Sequence, residues 1–450
     1  MIHFGVEGYL PMAMYIGVWV AFLASVVWRP AIGCYLLAFA LPLQTGRYKL
    51  HTFFLGSQIL DILLLGVILG LLVKGLPVIA KSPINTLLLV LAGFYYLSLW
   101  EGAFFMSLPL PLFIDDARFS DWKNYVEMFL MALVFASAIR DKSQVRLVVL
   151  AMCLSVLIVN RNYYSNISGH DFSRFSEDDR YAGALGYAGV NGFAAFEAMF
   201  ASFLLGLSAC TKRWPVKVAV LALLGTCLYC LLFSFSRGGY LGFLMGVVTV
   251  GMLKSRKLLL VVVLLVVAWQ VILPAAVQER ILMTRDSGTE AGVDSSSEER
   301  LTLWQDALEL FKRNPLTGTG FNTYGYMGRV GSYRDTHNYY VKVVAETGLV
   351  GIALYLFLLY RLLGLARQLV RKATDPLWAG IALGFLALLT SAYILNFFGD
   401  RWMYQQVDGY LWVTLGLVIR GLAVVRKEAE KDDAPALADD PLFAVQPVEV

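Results

Sequence analysis

Long apolar segments separated by short polar ones recur along nearly the whole chain. Most contain about 17–22 mainly apolar residues, enough for an α-helix to cross about 30 Å of hydrocarbon. A shorter apolar segment, residues 31–43, leaves open whether it spans or re-enters the membrane. The pattern predicts about twelve spanning helices, at residues 9–28, 57–74, 83–104, 123–139, 146–160, 190–210, 216–234, 238–253, 258–276, 338–361, 376–398 and 409–425.

Composition supports this interpretation. Hydrophobic residues make up 58% of the chain and charged residues 16%, with a mean hydropathy of +0.65, which excludes an ordinary water-soluble globular protein. We therefore predict an all-α integral membrane protein whose polytopic transmembrane domain covers residues 1–425. The charged, Pro- and Ala-rich residues 426–450 are predicted to form a disordered cytoplasmic tail.

The distribution of basic residues predicts the orientation. Basic connections should be cytoplasmic, and they occur near Lys74 and Lys81 and at residues 140–146, 212–217, 254–257, 361–372 and 420–431. The opposite, outer side then receives the loops at 161–189 and 277–337 and the turn at 399–409. If residues 31–43 do not cross the membrane, both termini are cytoplasmic, and if they do, the N-terminus is outside; we prefer the former.

The large outer loop at 277–337 is predicted to contain its own helix. Residues 295–299 (SSSEE) have the spacing of a capping box, and Asn314-Pro315 ends the helical pattern. Between them, one apolar face is predicted from helical spacing, formed by Leu301, Trp304, Leu308 and Phe311.

Arginine is frequent in the predicted outer segments, where lysine is scarce. Guanidinium groups bind phosphate oxygens through two parallel hydrogen bonds, so the preference suggests a diphosphate ligand. The alternative for each arginine is an ion pair with an acidic residue of the same loops. The residues are Arg161, Arg174, Arg180, Arg237, Arg280, Arg285, Arg300, Arg329, Arg334 and Arg401.

Arg237 is the most informative of these arginines. It lies in a tight turn, SFSRGGY at 234–240, between two apolar spans. A charge so close to membrane depth should face a cavity or a partner and not lipid. Gly238 and Gly239 would also let a ligand approach the backbone closely.

His337 lies where the long outer loop meets an apolar helix. An imidazole at this boundary can accept a proton from a substrate while a lipid-linked partner lies in the bilayer. The alternative is a histidine that merely caps the helix entry. The sequence contains no P-loop, dinucleotide motif or zinc-ligand spacing, so we expect no metal, no other cofactor and no nucleic-acid partner.

Four segments together resemble the O-antigen ligase and polymerase superfamily of bacterial envelope glycosyltransferases. The resemblance extends over about residues 80–425 and implies a GT-C-type fold. The segments are RYAGALGYAGVNGFAAF at 180–196, SFSRGGYLG at 234–242, ERLTLWQDALELFKRNPLTGTGFNTY at 299–324 and THNYYVKVVAETGLVGI at 336–352.

The resemblance assigns roles to individual residues. It places the family's essential histidine, the expected general base, on His337, and its arginines on Arg180, Arg237 and Arg300. We add Arg161 and Arg334 as further donor-binding candidates. The expected supporting residues are Asn191, Asn338 and Glu346.

The resemblance implies a ligase that transfers a polysaccharide from undecaprenyl diphosphate to lipid A-core. The reaction would be metal-independent and inverting, at the periplasmic face of the bacterial inner membrane. Two alternatives use the same lipid-linked donor: an O-antigen polymerase and a protein O-oligosaccharyltransferase. An alternative of another class is a transport or non-catalytic component of envelope polysaccharide assembly. The long outer loop, without an appended soluble domain, favours the ligase.

Overall fold

The apolar segments form helices in a computed structural model, which describes residues 9–43, 49–283, 295–330 and 335–438. These residues contain α-helices and short 3₁₀ helices but no strand. The α-helices are α1 Leu10–Val27, α2 Ala31–Ala40, α3 Ile59–Val73, α4 Asn85–Phe105, α5 Ala117–Ala138, α6 Lys142–Ile167, α7 Gly189–Cys210, α8 Trp214–Phe233, α9 Arg237–Leu253, α10 Arg256–Val267, α11 Trp269–Ile272, α12 Ala275–Leu282, α13 Ser295–Arg313, α14 Thr323–Met327, α15 Tyr339–Lys372, α16 Pro376–Leu395 and α17 Gln405–Ala438.

Nine helical stretches of the described chain are long and apolar enough to cross a membrane. The prediction of an all-helical, multi-pass membrane protein is therefore confirmed. The stretches are Leu10–Val27, Gly56–Val73, Asn85–Phe105, Lys142–Ile167, Gly189–Cys210, Trp214–Phe233, Tyr339–Lys372, Pro376–Leu395 and Gln405–Glu430.

Three of the predicted spans differ from this set. The span at 123–139 lies in α5, whose first half carries Lys123 and Glu127, and the span at 238–253 lies in α9, which has only 17 residues. The prediction of one helix over 258–276 is wrong. That segment is divided between α10, α11 and the start of α12, because the chain leaves helical geometry at Leu273 and Pro274 cannot continue a helix.

The C-terminal boundary also needs a correction. Helix α17 continues to Ala438, past the predicted start of the disordered tail at residue 426. Its extension is rich in Glu, Lys and Ala, which favour helix, and Arg426 pairs with Glu430 one turn later at 2.8 Å. The rest of the predicted tail, 439–450, lies outside the described residues.

Helices α7, α16 and α17 form the most buried part of the bundle. A methyl group at Gly206 of α7 would lie 2.5 Å from the backbone nitrogen of Gly384 in α16, so both glycines permit close helix packing. The helices are antiparallel, and the residues after α16 return to the start of α7, where Arg401 lies against Gly192. This packing fixes the position of the candidate site.

Several connections predicted to be cytoplasmic meet at the opposite end of the bundle. Arg361 donates to the carbonyl of Pro83 at 2.8 Å, and Arg420 donates to the carbonyl of Arg140 at 2.8 Å. The outer loops, in contrast, meet around the start of α7, α9 and α15. The two groups of loops thus lie at opposite ends of the bundle.

Candidate functional site: an arginine cavity beside a histidine

The turn between α8 and α9 places Arg237 at the first position of α9. Ser236 caps this helix by accepting a hydrogen bond from the backbone N–H of Gly239 at 3.4 Å. The hydroxyl of Ser236 also donates to Oδ1 of Asn191 at 2.9 Å, and that oxygen accepts from Nη2 of Arg180 at 3.0 Å. Asn191 therefore holds two segments of the site together, consistent with its expected supporting role.

Four arginine side chains meet in one cavity of about 390 Å³, here called the arginine cavity. Three of them, Arg180, Arg237 and Arg300, are predicted donor-binding residues, and the fourth is Arg280. The described residues that line this cavity include no carboxylate. The other lining residues are Asn191, Phe235, Gly238, Tyr240, Leu241, Ile281 and Phe398.

Glu177 links two of these arginines from the cavity rim. Its Oε2 lies 3.0 Å from Nη1 of Arg180, and its Oε1 lies 2.9 Å from Nη1 of Arg280. The Glu177 side chain is 60% exposed, whereas those of Arg180 and Arg280 are 14% and 9% exposed. The guanidinium of Arg280 also lies 4.7 Å from the ring centre of Phe175. These contacts hold both guanidinium groups in place at the wall.

Arg280 lines the cavity but is not among the donor-binding candidates predicted from the sequence. It lies in α12, directly after the segment that was assigned to a single membrane span. Pro274 is the signal that the sequence does offer, because a proline ends an apolar helix. A helix that starts after Pro274 would be a separate short helix carrying Arg280.

The other donor-binding candidates lie elsewhere. Arg161 is exposed on α6 and does not line the arginine cavity, so it does not join the other candidates. Arg334 lies outside the described residues. The surroundings of Gly238 differ from the expectation that a ligand approaches its backbone closely. A methyl group at Gly238 would lie 2.9 Å from Cβ of Phe398. The space above this glycine is therefore occupied by an aromatic side chain of the protein.

His337 is held by Asp335 at two points. Oδ1 of Asp335 lies 2.8 Å from Nδ1 of the imidazole and accepts the backbone N–H of His337 at 2.6 Å. The backbone of His337 has a φ of 52°, a conformation that few non-glycine residues adopt. In the neutral imidazole, donation from Nδ1 to a carboxylate leaves the lone pair on Nε2, which is the tautomer that a general base requires.

The ionisation of Asp335 supports this arrangement. Burial alone would raise the pKa of its carboxyl group, but the hydrogen bond and charge interaction with His337 outweigh burial and lower the pKa to about 2. Asp335 is therefore ionised at neutral pH and can stabilise an imidazolium.

Asn338, and not His337, caps helix α15. Its side-chain oxygen accepts the backbone N–H groups of Tyr340 at 3.0 Å and Val341 at 3.3 Å. Helix capping consequently does not account for the position of His337. Asn338 instead supports the helix start that positions the histidine.

The loop before His337 is fixed by two other helices. Nε1 of Trp304 in α13 donates to the carbonyl of Thr336 at 3.0 Å. The backbone N–H of Tyr339 donates to the carbonyl of Asn396, directly after α16, at 2.8 Å. Phe398, two residues later, lines the arginine cavity. This short segment connects the start of α15 to the arginine cavity.

The predicted helix in the outer loop is confirmed as α13, but its apolar face needs a correction. The buried residues are Leu303, Ala307 and Leu310, which pack against Tyr324 and Ala345. Leu301 and Leu308 are exposed, and Trp304 is partly buried. The face is rotated because α13 must pack on both α14 and α15.

Glu346 supports the loop from inside α15. Its carboxylate accepts the backbone N–H groups of Asn322 and Tyr324, both at 3.0 Å, and so fixes the start of α14. Two residues later α15 is interrupted at Gly348, with φ 61° and ψ −159°.

The segment after α13 replaces the helix hydrogen bonds lost at this break. Gly320 N–H donates to the carbonyl of Glu346 at 2.7 Å, and Leu349 N–H donates to the carbonyl of Pro315 at 2.9 Å. A methyl group at Gly348 would lie 2.4 Å from the backbone of Leu316. The backbones of residues 315–320 (PLTGTG) and 346–351 (ETGLVG) therefore contact each other directly.

An apolar groove of about 850 Å³ runs along α15 and α16 and has Phe397 in its lining. Phe398, the next residue, lines the arginine cavity. The linings of the groove and of the arginine cavity thus contain consecutive residues. The lining residues of the groove are Trp304, Ala307, Leu308, Tyr340, Val341, Val344, Ile352, Leu356, Leu359, Tyr360, Leu363, Tyr393 and Phe397.

Two acidic residues near the site contact basic side chains. Glu177 contacts two arginines, and Asp179 lies 3.1 Å from Nδ1 of His170. Among the described residues, no group of three or more His, Cys, Asp or Glu side chains is placed to hold a metal ion.

Comparison with known proteins agrees with the sequence resemblance. Residues 218–356 match the family model described as O-antigen ligase, a range that contains Arg237, Arg280, Arg300 and His337. The chain is also 32% identical over 99 residues to the exopolysaccharide production protein ExoQ of Rhizobium meliloti (strain 1021). That similarity covers 19% of this chain and 23% of the length of ExoQ. Through these segments, the chain is similar to members of the O-antigen ligase and polymerase superfamily.

Proposed function

We propose that this protein is an O-antigen ligase of the GT-C type. It transfers a polysaccharide from undecaprenyl diphosphate to the lipid A-core oligosaccharide, at the periplasmic face of the bacterial inner membrane. The observation that carries the proposal is the meeting of Arg180, Arg237, Arg280 and Arg300 in one cavity, joined by a short segment to the helix that follows His337.

The arginine cavity is suited to the donor diphosphate. Four guanidinium groups offer paired donors to phosphate oxygens, and the first turn of α9 adds the positive end of a helix dipole. Charge grows on the diphosphate as it leaves, and fixed cations stabilise that charge most in the transition state. The arginines therefore supply the neutralisation that a metal ion provides in other transferases.

The apolar groove accounts for the lipid part of the donor. Its lining includes Phe397, the residue before Phe398 of the arginine cavity, and it follows α15 as far as Leu363. A polyprenyl chain in this groove would bring its diphosphate to the arginine cavity without leaving the apolar environment.

His337 is the proposed general base. Nε2 takes the proton from the acceptor hydroxyl, and that oxygen forms a bond to the anomeric carbon of the donor sugar. The bond from this carbon to the diphosphate oxygen breaks, and the diphosphate departs with the electron pair. Because attack and departure occur on opposite faces, the anomeric configuration inverts.

A polymerase is the second candidate, and the similarity to ExoQ favours it. That relative is named as an exopolysaccharide production protein. A polymerase would use the same donor site but would transfer the growing chain to another lipid-linked repeat unit.

The envelope polysaccharides of a strain lacking this protein distinguish the two candidates. A ligase predicts loss of long-chain lipopolysaccharide and accumulation of polyprenyl-linked polymer. Core capped with a single repeat unit, or loss of exopolysaccharide with intact lipopolysaccharide, would replace the ligase assignment with the polymerase. Complementation with the wild-type chain and with His337→Ala controls for effects on neighbouring genes.

A further inference from the structure

A second cavity, of about 630 Å³, is lined in part by Asp335, and we call it the polar cavity. Its volume falls within the range of about 300–1,000 Å³ typical of small-molecule sites. It is lined by Ala117, Asp121, Asn124, Asn322, Gly325, Tyr326, Asp335, Lys342, Asp400, Met403, Tyr404, Gln405 and Gln406.

The charge of the polar cavity is opposite to that of the arginine cavity. Its lining contains the carboxylates of Asp121, Asp335 and Asp400 but one cation, Lys342. Lys342 is itself paired with Asp400 at 2.7 Å, with both side chains almost fully buried. A diphosphate would be repelled here, whereas a neutral ligand rich in hydroxyl groups would not.

Three side-chain amides in the polar cavity are available to a ligand. Within the described residues, no hydrogen bond involves the side chains of Asn124, Gln405 or Gln406. The carboxylate of Asp121 is fixed beside them, because its Oδ2 accepts from Asn322 at 2.7 Å and from Tyr326 at 2.8 Å. Carboxylates, amides and a tyrosine ring are the groups that recognise sugar hydroxyls and the apolar face of a sugar ring.

The polar cavity reaches the candidate catalytic pair through Asp335. Asp335 lines the polar cavity and holds the imidazole of His337. The segment after α16 contributes Phe398 to the arginine cavity and Asp400 to the polar cavity. A ligand in the polar cavity would therefore lie against Asp335, the residue that holds His337.

We infer that the polar cavity is the acceptor subsite and binds a neutral, hydroxyl-rich sugar residue whose hydroxyl is presented to His337. This inference rests on the proposed transferase function and assigns its second substrate. Asn124 on α5 and Gln406 on α17 contact the sugar hydroxyls, while Asp335 stays with the histidine.

Steady-state kinetics with two purified substrates test the inference. The donor is undecaprenyl-diphosphate-linked polysaccharide, and the acceptor is lipid A-core from a strain lacking this protein. For Asn124→Ala and Gln406→Ala, each made separately, we expect the acceptor KM to rise at least about tenfold with the donor KM unchanged. Gln368→Ala is the matched control, because Gln368 is exposed at the opposite end of the bundle. Unchanged acceptor KM in both variants, or a rise in donor KM alone, would overturn the inference.

A binding measurement separates this inference from the proposed function. Core oligosaccharide freed of lipid A is titrated into the purified protein by calorimetry, without donor. If wild-type protein fails to transfer but binds this probe at least about tenfold more tightly than Gln406→Ala, the ligase proposal fails and the sugar subsite stands. Absence of probe binding, or transfer to Ser or Thr of a protein acceptor in its place, would refute the sugar subsite.

Discussion

Oδ1 of Asp335 lies 2.8 Å from Nδ1 of His337 and accepts the backbone N–H of the same residue at 2.6 Å. One carboxylate oxygen thus fixes both the ring and the strained backbone of the histidine. Such a carboxylate selects the tautomer with the lone pair on the other ring nitrogen. This relationship makes His337 a candidate base and Asp335 its positioning residue.

Asp335→Asn should lower the transfer rate by about 10²–10⁴-fold with little change in the amount of folded protein. The amide fills the same volume but cannot stabilise an imidazolium. The pKa of Asp335, about 2, lies below its ordinary value of 3.8. The contribution of this carboxylate to the stability of the folded protein is therefore complete above the ordinary pKa and is lost as pH falls through about 2. The transfer rate of the wild-type protein, measured between pH 5 and 9, should therefore show no pH dependence caused by titration of this carboxyl group. A fully active Asp335→Asn protein would contradict the positioning role.

Arg280→Ala should raise the donor KM and lower the transfer rate, although this residue was not selected from the sequence. Arg280 lines the arginine cavity and is held by Glu177 at 2.9 Å. Removing one charge-assisted contact to phosphate is expected to cost about 1.5–3 kcal/mol, or about 10–150-fold in donor binding. Arg161→Ala is the control, since Arg161 is exposed outside the cavity. Equal effects of the two substitutions on donor KM would remove Arg280 from the site.

Arg237→Lys should be nearly as damaging as Arg237→Ala. Lysine keeps the charge but loses the planar fork that binds two phosphate oxygens together. Both variants are compared with wild type in single-turnover transfer from purified lipid-linked donor. Arg174→Lys, an exposed change outside the cavity, should leave the rate unaltered. Near-wild-type transfer by Arg237→Lys would favour a structural ion pair over a diphosphate contact.

Gly348→Ala should destabilise the outer loop and reduce activity. The φ of 61° alone costs an alanine about 1–3 kcal/mol, and its methyl group would lie 2.4 Å from the backbone of Leu316. We expect a lower melting temperature in detergent. Gly364→Ala in the same helix is the control, because no atom lies within 4 Å of a methyl group there and alanine favours helix. A melting temperature equal to that of the control would show that the break is not required.

The sequence predicted the helices well because bilayer thickness sets a minimum length for each apolar segment. Three of the four cavity arginines were also predicted, Arg237 from its position near membrane depth and Arg180 and Arg300 from the family resemblance. The sequence could not predict that Glu177 joins Arg180 to Arg280, because these contacts connect separate loops. The exposed side of α13 was misassigned for the same reason, as local spacing does not reveal which neighbours a helix will have.

The space above Gly238 shows the same limit. Two adjacent glycines indicate a close approach to the backbone, but not whether a ligand or a protein side chain makes it. Phe398, which makes the contact, follows α16 and is distant in sequence. The polar cavity likewise collects residues from α5, α14, α15 and the start of α17, so no single motif encodes it.

The most direct test of the account is single-turnover transfer by His337→Ala, with donor binding measured on the same preparation. The donor is polyprenyl-diphosphate-linked polysaccharide and the acceptor is lipid A-core. We predict that transfer falls by at least about 10²-fold, because the general base is lost. Donor affinity and melting temperature should stay close to wild type, because the arginine cavity is intact. Transfer at a near-wild-type rate by a well-folded His337→Ala protein would show that His337 is not the general base.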